Sequence, residues 1–177
     1  MKNRKSFTLM EMMVVLSVFA VISGITFTAL KLNDTYRDTI LTQLELYRKA
    51  KKIHDTITKE LSLSQINRIN ITDSNPDVLT FQIPLLSKID DNYTIPWGAE
   101  ENEGYYIRYQ LIGDELKREI LDSTYSLVSQ QTVTKGVADL QFSSDSESIT
   151  INFTLSRTNI EGRVINFTSQ FKVYLAN

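Results

Sequence analysis

An uninterrupted apolar run near the N-terminus most constrains what this chain can fold into. The 19 residues from Met12 to Leu30 contain no charged side chain, and about 20 apolar residues are enough to span a bilayer. Three basic residues, Lys2, Arg4 and Lys5, precede the run, and basic residues on one side of a span favour the cytoplasm for that side. The run therefore predicts a single-pass helix in the cytoplasmic membrane, with the C-terminal bulk of the chain outside the cytoplasm.

Glu11 lies directly before this run, where a charge is unfavourable. A charged side chain at the centre of a bilayer costs about 2.5–3.5 kcal/mol on insertion scales. A secretory signal would have a shorter apolar core followed by a small-residue cleavage site, and no such site follows here. A plain membrane anchor would leave Glu11 unexplained. The carboxylate therefore predicts a partner of opposite charge.

The stretch Ser6-Phe7-Thr8-Leu9-Met10-Glu11 resembles the class III signal of type IV pilins and pseudopilins. The resemblance implies that a prepilin peptidase cuts between Ser6 and Phe7, that the new amine of Phe7 is methylated, and that Glu11 is the fifth mature residue. During assembly, Glu11 would form a salt bridge with the N-terminal ammonium of a neighbouring subunit, which neutralises two charges in apolar surroundings. The family usually has Gly before the cut, where this chain has Ser6.

A second pattern extends the helix well beyond the apolar run. No Gly or Pro interrupts residues 31–66, and part of this stretch has apolar or part-apolar side chains at the spacing of one helical face. These residues are Tyr36, Ile40, Leu44, Tyr47, Ala50, His54, Ile57 and Leu61. We predict one helix from about Phe7 to about Leu63, apolar all round in its first half and one-faced in its second. His54, on this face, is expected to pack or to form a hydrogen bond.

From Asn67 onward the sequence is typical of loops and strands. Residues 70–77 have the composition of a loop, and two hairpins are predicted, one turning at Gly113-Asp114 and one through residues 159–162. The predicted strands are Val78–Ile83, Tyr105–Ile112, Glu115–Leu121, Val137–Phe142, Ser148–Ser156 and Arg163–Leu175. The predicted fold class is α+β, a long N-terminal helical spine packed on an antiparallel β-sheet head. The predicted divisions are a leader (1–6), a transmembrane half-helix (7–30), an amphipathic half-helix (31–66) and the head (67–177).

The C-terminal half is similar to that of the W-type minor pilins of type IV pili and the J-type minor pseudopilins of type II secretion systems. The similarity rests on the hairpin of residues 105–118, the strand of residues 137–142 and the last hairpin of residues 149–175. It implies a minor structural subunit that initiates or joins a filament. The expected partners are prepilin peptidase, other pilin or pseudopilin subunits, the inner-membrane assembly platform and the cytoplasmic membrane.

Charge and composition exclude several other classes of function. Residues 69–177 carry 8 Lys and Arg against 15 Asp and Glu, a net of −7, so broad binding of nucleic acid is disfavoured. There is no cysteine and one histidine, which excludes disulfides, thiolate zinc sites and Cys nucleophiles and leaves little room for His-based chemistry. No phosphate-binding or nucleophile motif is present. We expect neither enzymatic activity nor a cofactor.

Two features are candidates for contact with a partner. Trp97, predicted to lie in a loop, would be either an anchor for a partner or the cap of a small core. The basic cluster Arg48, Lys49, Lys51 and Lys52 would be either a solvated helix face or a contact to phosphates, lipid headgroups or an acidic neighbouring head.

One stretch imitates the beginning of a calcium-binding loop. Asp73, Asn75 and Asp77 have the spacing of the first ligands of an EF-hand, which needs Gly at the sixth place and Glu at the twelfth. Those places hold Val78 and Pro84. No metal site is predicted.

Overall fold

The computed structural model describes residues 8–72, 75–89 and 94–176. Within these residues it contains one long α-helix and eleven β-strands. The elements are α1 (Leu9–Leu61), β1 (Ile69–Thr72), β2 (Asn75–Phe81), β3 (Ile83–Pro84), β4 (Trp97–Ala99), β5 (Asn102–Glu103), β6 (Tyr106–Ile112), β7 (Glu115–Leu121), β8 (Leu127–Lys135), β9 (Val137–Ser144), β10 (Ser148–Thr158) and β11 (Val164–Tyr174). The chain divides into two compact units, Met1–Leu41 and Thr42–Asn177, of which we call the second the C-terminal unit.

The strands form three antiparallel sheets in the C-terminal unit. The largest has the order β1-β2-β6-β7-β8, the second β11-β10-β9 and the smallest β3-β4-β5. Residues of α1 from Leu46 to Leu61 share one hydrophobic core with strands of both larger sheets. The predicted α+β architecture, a long helix packed on antiparallel sheets, is confirmed.

Both predicted hairpins are present. Strands β6 and β7 pair up to Ile112 opposite Glu115, next to the Gly113-Asp114 turn, and β10 and β11 pair along their whole length. The loop predicted for residues 70–77 was largely wrong, because β1 and β2 occupy most of this stretch and pair with each other. Strand β8 was not predicted. Most of its side chains are exposed, so its sequence has no clear apolar alternation.

The buried face of α1 differs from the predicted one. The buried helix residues are Thr42, Leu46, Ala50, Ile53, Ile57 and Leu61, whereas Leu44, Tyr47 and His54 of the predicted face are exposed. Leu46 precedes the predicted Tyr47 by one position, and Ile53 precedes the predicted His54. One position corresponds to a rotation of about 100° around the helix axis, so the buried face is rotated from the predicted one at these residues. The predicted face is therefore correct at Ala50, Ile57 and Leu61, whereas the aliphatic side chains of Leu46 and Ile53 occupy the core in place of Leu44, Tyr47 and His54.

The aromatic side chains of the predicted face pack beside strand β11 instead. The Tyr47 and Phe167 rings have centroids 6.4 Å apart, and those of His54 and Phe171 are 4.7 Å apart. Nδ1 of His54 also lies 3.1 Å from a carboxylate oxygen of Asp55. The expectation that His54 packs or forms a hydrogen bond is confirmed, but at an exposed position rather than in the core.

A partly buried polar contact joins the C-terminal end of α1 to the largest sheet. The hydroxyl of Tyr109 donates to Oε2 of Glu60 over 2.7 Å, and Nε of Arg118 lies 2.9 Å from Oε1 of the same carboxylate. Burial, and then the negative charge of Glu60, raise the pKa of Tyr109 above its ordinary value of about 10.

This contact predicts a loss of stability in alkali. Above about pH 10 the Tyr109 hydroxyl of the unfolded chain loses its proton while that of the folded chain keeps it, so the free energy of unfolding falls as pH rises, by up to about 1.4 kcal/mol per pH unit. Tyr109→Phe should make this fall shallower, and the exposed Tyr174→Phe should not. Thermal unfolding between about pH 9 and about pH 11 measures it, and parallel curves for Tyr109→Phe and the parent chain would contradict it.

The opposite face of the same sheet contains a buried carboxylate. The side chain of Glu119 is 2% exposed and accepts from Nε of Arg108 over 2.6 Å, from Gln110 over 2.8 Å and from Gln130. Arg108, Glu119 and Gln130 are direct neighbours across β6, β7 and β8. Three strands are thus joined by one charged group whose oxygens are well satisfied.

The two larger sheets are connected through a single residue. Strand β8 ends at Lys135, β9 begins at Val137, and Gly136 between them has φ of 83°. A Cβ at Gly136 would lie 3.0 Å from the carbonyl oxygen of Ser156, so both backbone conformation and space favour glycine there. Its N–H donates to the carbonyl of Asp114 over 2.8 Å, and its carbonyl accepts from Ser156 over 2.8 Å.

Candidate functional site

The long helix begins with a reciprocal pair of hydrogen bonds between Thr8 and Glu11. The backbone N–H of Thr8 donates to Oε2 of Glu11 over 2.8 Å, and the backbone N–H of Glu11 donates to Oγ1 of Thr8 over 3.3 Å. The Thr8 hydroxyl also donates to Oε2 over 3.1 Å. This arrangement is a capping box, which satisfies two N–H groups that the first turn of a helix leaves without a helical acceptor.

The capping box gives the Glu11 carboxylate hydrogen-bond partners within its own chain. Thr8 was not predicted as a functional residue, although Thr-x-x-Glu before an apolar run is a recognisable pattern for a helix start. Ser6 and Phe7, predicted as the cleavage and methylation positions, lie outside the described residues. The structure therefore describes Glu11 and its cap but not the residues on either side of the expected cut.

After the cap, α1 presents apolar side chains on every side. All residues from Leu9 to Leu32 are exposed, and the helix contains an 18-residue window that is long and apolar enough to cross a membrane by length and composition. Three of its hydroxyl side chains bond within the helix: Ser17 donates to the carbonyl of Val14 over 2.8 Å, and Thr26 and Thr28 donate over 2.9 Å to carbonyls one turn earlier. Such bonds make hydroxyl groups tolerable in an apolar environment.

The basic cluster is divided by its contacts. Arg48, Lys51 and Lys52 are exposed, whereas Nζ of Lys49 lies 3.4 Å from the carboxylate of Glu45 and donates to the carbonyl of Lys135 over 3.2 Å. Lys49 therefore contributes to the packing of its own chain. The other three remain a prediction of partner contact.

Trp97 lies in strand β4 rather than in the predicted loop. Its neighbour Gly98 allows the tight β4–β5 turn, since a Cβ there would lie 2.0 Å from the carbonyl oxygen of Asn102. The half-buried indole has the guanidinium of Arg68 5.3 Å from its ring centroid, a cation–π distance. The sequence did not predict this pairing, because Arg68 and Trp97 are far apart along the chain.

The stretch that imitates a calcium loop is not a loop in the structure. Asn75 and Asp77 are in strand β2, and Asp73 lies outside the described residues. Across the described ranges, no group of three His, Cys, Asp or Glu side chains is close enough to hold a metal ion.

The segment that contains the capped helix start and most of the apolar run also matches a known family. Residues 1–27 match the prokaryotic N-terminal methylation motif. No curated protein and no solved structure matches the chain.

The methylation motif covers the basic leader, the Thr8–Glu11 capping box and most of the apolar run. Together with the long apolar helix, it supports a pilin- or pseudopilin-type subunit, which is a structural rather than a catalytic class of protein. The methylation motif also implies processing by a prepilin peptidase and assembly with other pilin subunits. A single apolar helix at the N-terminus fits anchoring in the inner membrane.

Proposed function

We propose that this chain is a minor pilin-like subunit of a type IV pilus. It enters the cytoplasmic membrane as a prepilin with its C-terminal bulk outside the cytoplasm. A prepilin peptidase removes residues 1–6, the amine of Phe7 is methylated, and the processed subunit is drawn from the membrane into a filament or initiates one. In the filament, the half-helix of residues 7–30 forms the core and the head of residues 67–177 faces outward.

The observation that carries this proposal is the exposed apolar helix, most of whose apolar run lies within the methylation motif. None of its membrane-crossing window is buried within the chain, so it needs lipid or other helices around it. Leaving the bilayer exposes this surface unless equivalent surfaces of neighbouring subunits cover it, because burial of apolar area is worth about 25 cal/mol per Å². Assembly into a helical filament of similar subunits meets that requirement.

Glu11 has two roles in the proposal. Within the chain, its Oε2 accepts from Thr8. A carboxylate can accept about four hydrogen bonds in total, so Glu11 retains capacity for a further donor. The methylated ammonium of Phe7 on a neighbouring subunit is that donor, and the pairing neutralises both charges in the apolar filament core.

The methylation motif and the exposed apolar helix are equally compatible with a minor pseudopilin of a type II secretion system. Such a subunit is processed and assembled in the same way. The similarity of residues 105–118, 137–142 and 149–175 extends to both subtypes. Genes for a secretion or a pilus assembly platform beside this one would separate them. Binding of DNA or another ligand by the head is an additional role that either subunit can have.

The first test is the intact mass of the protein from cells with and without prepilin peptidase. The expected product in peptidase-containing cells has lost residues 1–6 and gained one methyl group, whereas cells without the enzyme keep the full chain. An uncut chain in both strains would contradict the proposal and would indicate a protein that is only anchored in the membrane.

Three variants separate the cap from the charge at Glu11. Glu11→Gln keeps a capping acceptor, since Gln serves at this position of a capping box, but removes the charge. Thr8→Val removes the cap, which costs about 0.5–2 kcal/mol at the helix start, and keeps the charge. Glu11→Ala removes both.

We expect Glu11→Gln and Glu11→Ala to be processed yet depleted at least about tenfold from sheared filaments, because an unpaired ammonium in an apolar core is unfavourable by several kcal/mol. Thr8→Val should enter filaments nearly as well as the parent chain. Incorporation of Glu11→Gln at the parental level, together with loss of Thr8→Val, would show that Glu11 acts only through its cap.

A further inference from the structure

A cleft in the C-terminal unit combines aromatic rings with polar side chains. Two adjoining cavities, of about 450 Å³ and 200 Å³, share Arg68, Gln82 and Tyr106 in their linings. Trp97 and Glu103 line the larger cavity, and Tyr125 lines the smaller. A concave site with aromatic walls and a few convergent polar groups has the character of a site for a small ligand. We call this region the aromatic cleft.

The rings of the cleft are held in fixed positions. Arg68 lies over Trp97, with 5.3 Å between the guanidinium carbon and the ring centroid. Tyr106 and Tyr125 stack with centroids 4.6 Å apart and an interplanar angle of 17°. Tyr106 is on β6 of the largest sheet and Trp97 is on β4 of the smallest, so the cleft is built on strands rather than on loops alone.

Tyr125 has an unusual backbone conformation. Its φ is +62°, a region that bulky residues rarely adopt and that Gly adopts without penalty. The turn around it is fixed by Asp122, whose carboxylate accepts from the N–H groups of Thr124 over 2.8 Å and Ser126 over 2.9 Å. A strained residue of this kind is a pointer to function, and here the strain places an aromatic ring at the cleft.

The polar groups of the cleft include both donors and acceptors. The guanidinium of Arg68 and the ammonium of Lys88 are donors, Glu103 is an acceptor, and Gln82 offers both. The hydroxyl groups around a sugar ring both donate and accept, and the C–H face of a pyranose packs on aromatic rings. Among the described residues that line the larger cavity, two cations accompany one carboxylate. The planar guanidinium of Arg68 matches a carboxylate through two parallel hydrogen bonds.

We propose that the aromatic cleft binds a carbohydrate that carries a carboxylate, with Arg68 on the carboxylate. The sugar packs against Trp97, Tyr106 and Tyr125 on the sides of the rings that Arg68 and the Tyr106–Tyr125 stack leave uncovered. An apolar peptide is a poorer fit, because charged and amide groups line the larger cavity. A phosphate polymer is also a poorer fit, because it would meet Glu103 and the net charge of −7 of residues 69–177. This proposal goes beyond the filament role and does not depend on it.

The cleft contains its own reporter, because Trp97 is the single tryptophan of the chain. We would titrate the purified full-length protein in mild detergent with galacturonic acid and with 3′-sialyllactose, each of which carries one carboxylate, and follow the fluorescence of Trp97. Maltotriose serves as the uncharged sugar and oligothymidylate as the phosphate polymer. We expect a saturable change with at least one acidic sugar that weakens as salt is added, and an apparent dissociation constant at least about tenfold weaker for the other two probes.

Two variants test the assigned contacts. Tyr125→Gly removes the ring and suits a φ of +62°, so it should fold normally and still bind at least about tenfold more weakly. Arg68→Met removes the charge and keeps much of the side-chain length, and calorimetry replaces fluorescence there because Arg68 lies over Trp97. Exposed residues outside the cleft supply the matched controls, Tyr174→Ser and Arg163→Met, which should bind as the parent chain does.

The outcomes are distinct from those of the processing test. Saturable binding of an acidic sugar that both cleft variants weaken and both controls preserve supports the proposal. Equal binding of maltotriose, binding of oligothymidylate alone, no response to either acidic sugar, or unchanged binding by Tyr125→Gly and Arg68→Met would each overturn it. None of these results bears on the cut before Phe7.

Discussion

Ile53→Ala should lower the free energy of unfolding of the C-terminal unit by about 2–5 kcal/mol. Ile53 is completely buried in the core that α1 shares with both larger sheets, so truncation removes apolar contacts and leaves a cavity. Fluorescence of Trp97 during urea unfolding of the full chain in mild detergent measures the change, because this residue lies in the C-terminal unit.

The matched control lies on the same helix but on the face that the sequence favoured. Leu44 is 43% exposed, and Leu44→Ala should change the free energy of unfolding by about 0.5 kcal/mol or less. Equal losses from the two variants, or a larger loss from Leu44→Ala, would mean that the helix is rotated toward the face predicted from periodicity.

Glu119→Ala should be similarly damaging, for a different reason. Removal of one partner from a buried ion pair typically destabilises a protein by about 3–5 kcal/mol, because the other charge remains without compensation. Here the side chain of Arg108 is 27% exposed, so solvent offsets part of the loss, and we expect about 2–3 kcal/mol. Gln110 and Gln130 lose an acceptor at the same time. The same urea measurement applies.

Two further variants separate this effect from a general loss of charge. Asp139→Ala removes an exposed strand carboxylate and should change stability by about 0.5 kcal/mol or less. The double variant Arg108→Met with Glu119→Met removes both charges and should recover part of the stability lost in Glu119→Ala, since apolar replacement of a whole pair is often tolerated. If the double variant were less stable than Glu119→Ala, the pair would not be the cause.

The spacing of apolar side chains predicted the long helix and the two hairpins well, because each of these segments has a single clear helical or strand period. The apolar run and the absence of Gly and Pro from residues 31–66 predicted a helix whose described ends, Leu9 and Leu61, are within two residues of the expected ones. Alternation and turn residues predicted the β6–β7 and β10–β11 hairpins with their turns. These features are encoded locally, in the spacing of neighbouring side chains.

Features that depend on contacts across the fold were not predictable in the same way. The stripe that contains Tyr47 and His54 has a good helical period, yet only the partner strands determine that Leu46 and Ile53 face the core. Glu119 has the appearance of a solvent-facing strand residue, and its burial depends on the register that places Arg108 and Gln130 beside it. The exception is Thr8, whose cap with Glu11 has a local pattern and could have been predicted.

The single-residue connection at Gly136 affects how a mechanical force is transmitted through the C-terminal unit. No flexible loop separates Lys135 from Val137. Nζ of Lys49 on α1 also donates a hydrogen bond to the carbonyl of Lys135, next to this connection. A pull on the β10–β11 hairpin is therefore transmitted to the five-stranded sheet and the helix instead of being absorbed by a flexible loop. Under tension, the two larger sheets and the part of α1 that packs on them should therefore unfold in a single cooperative step.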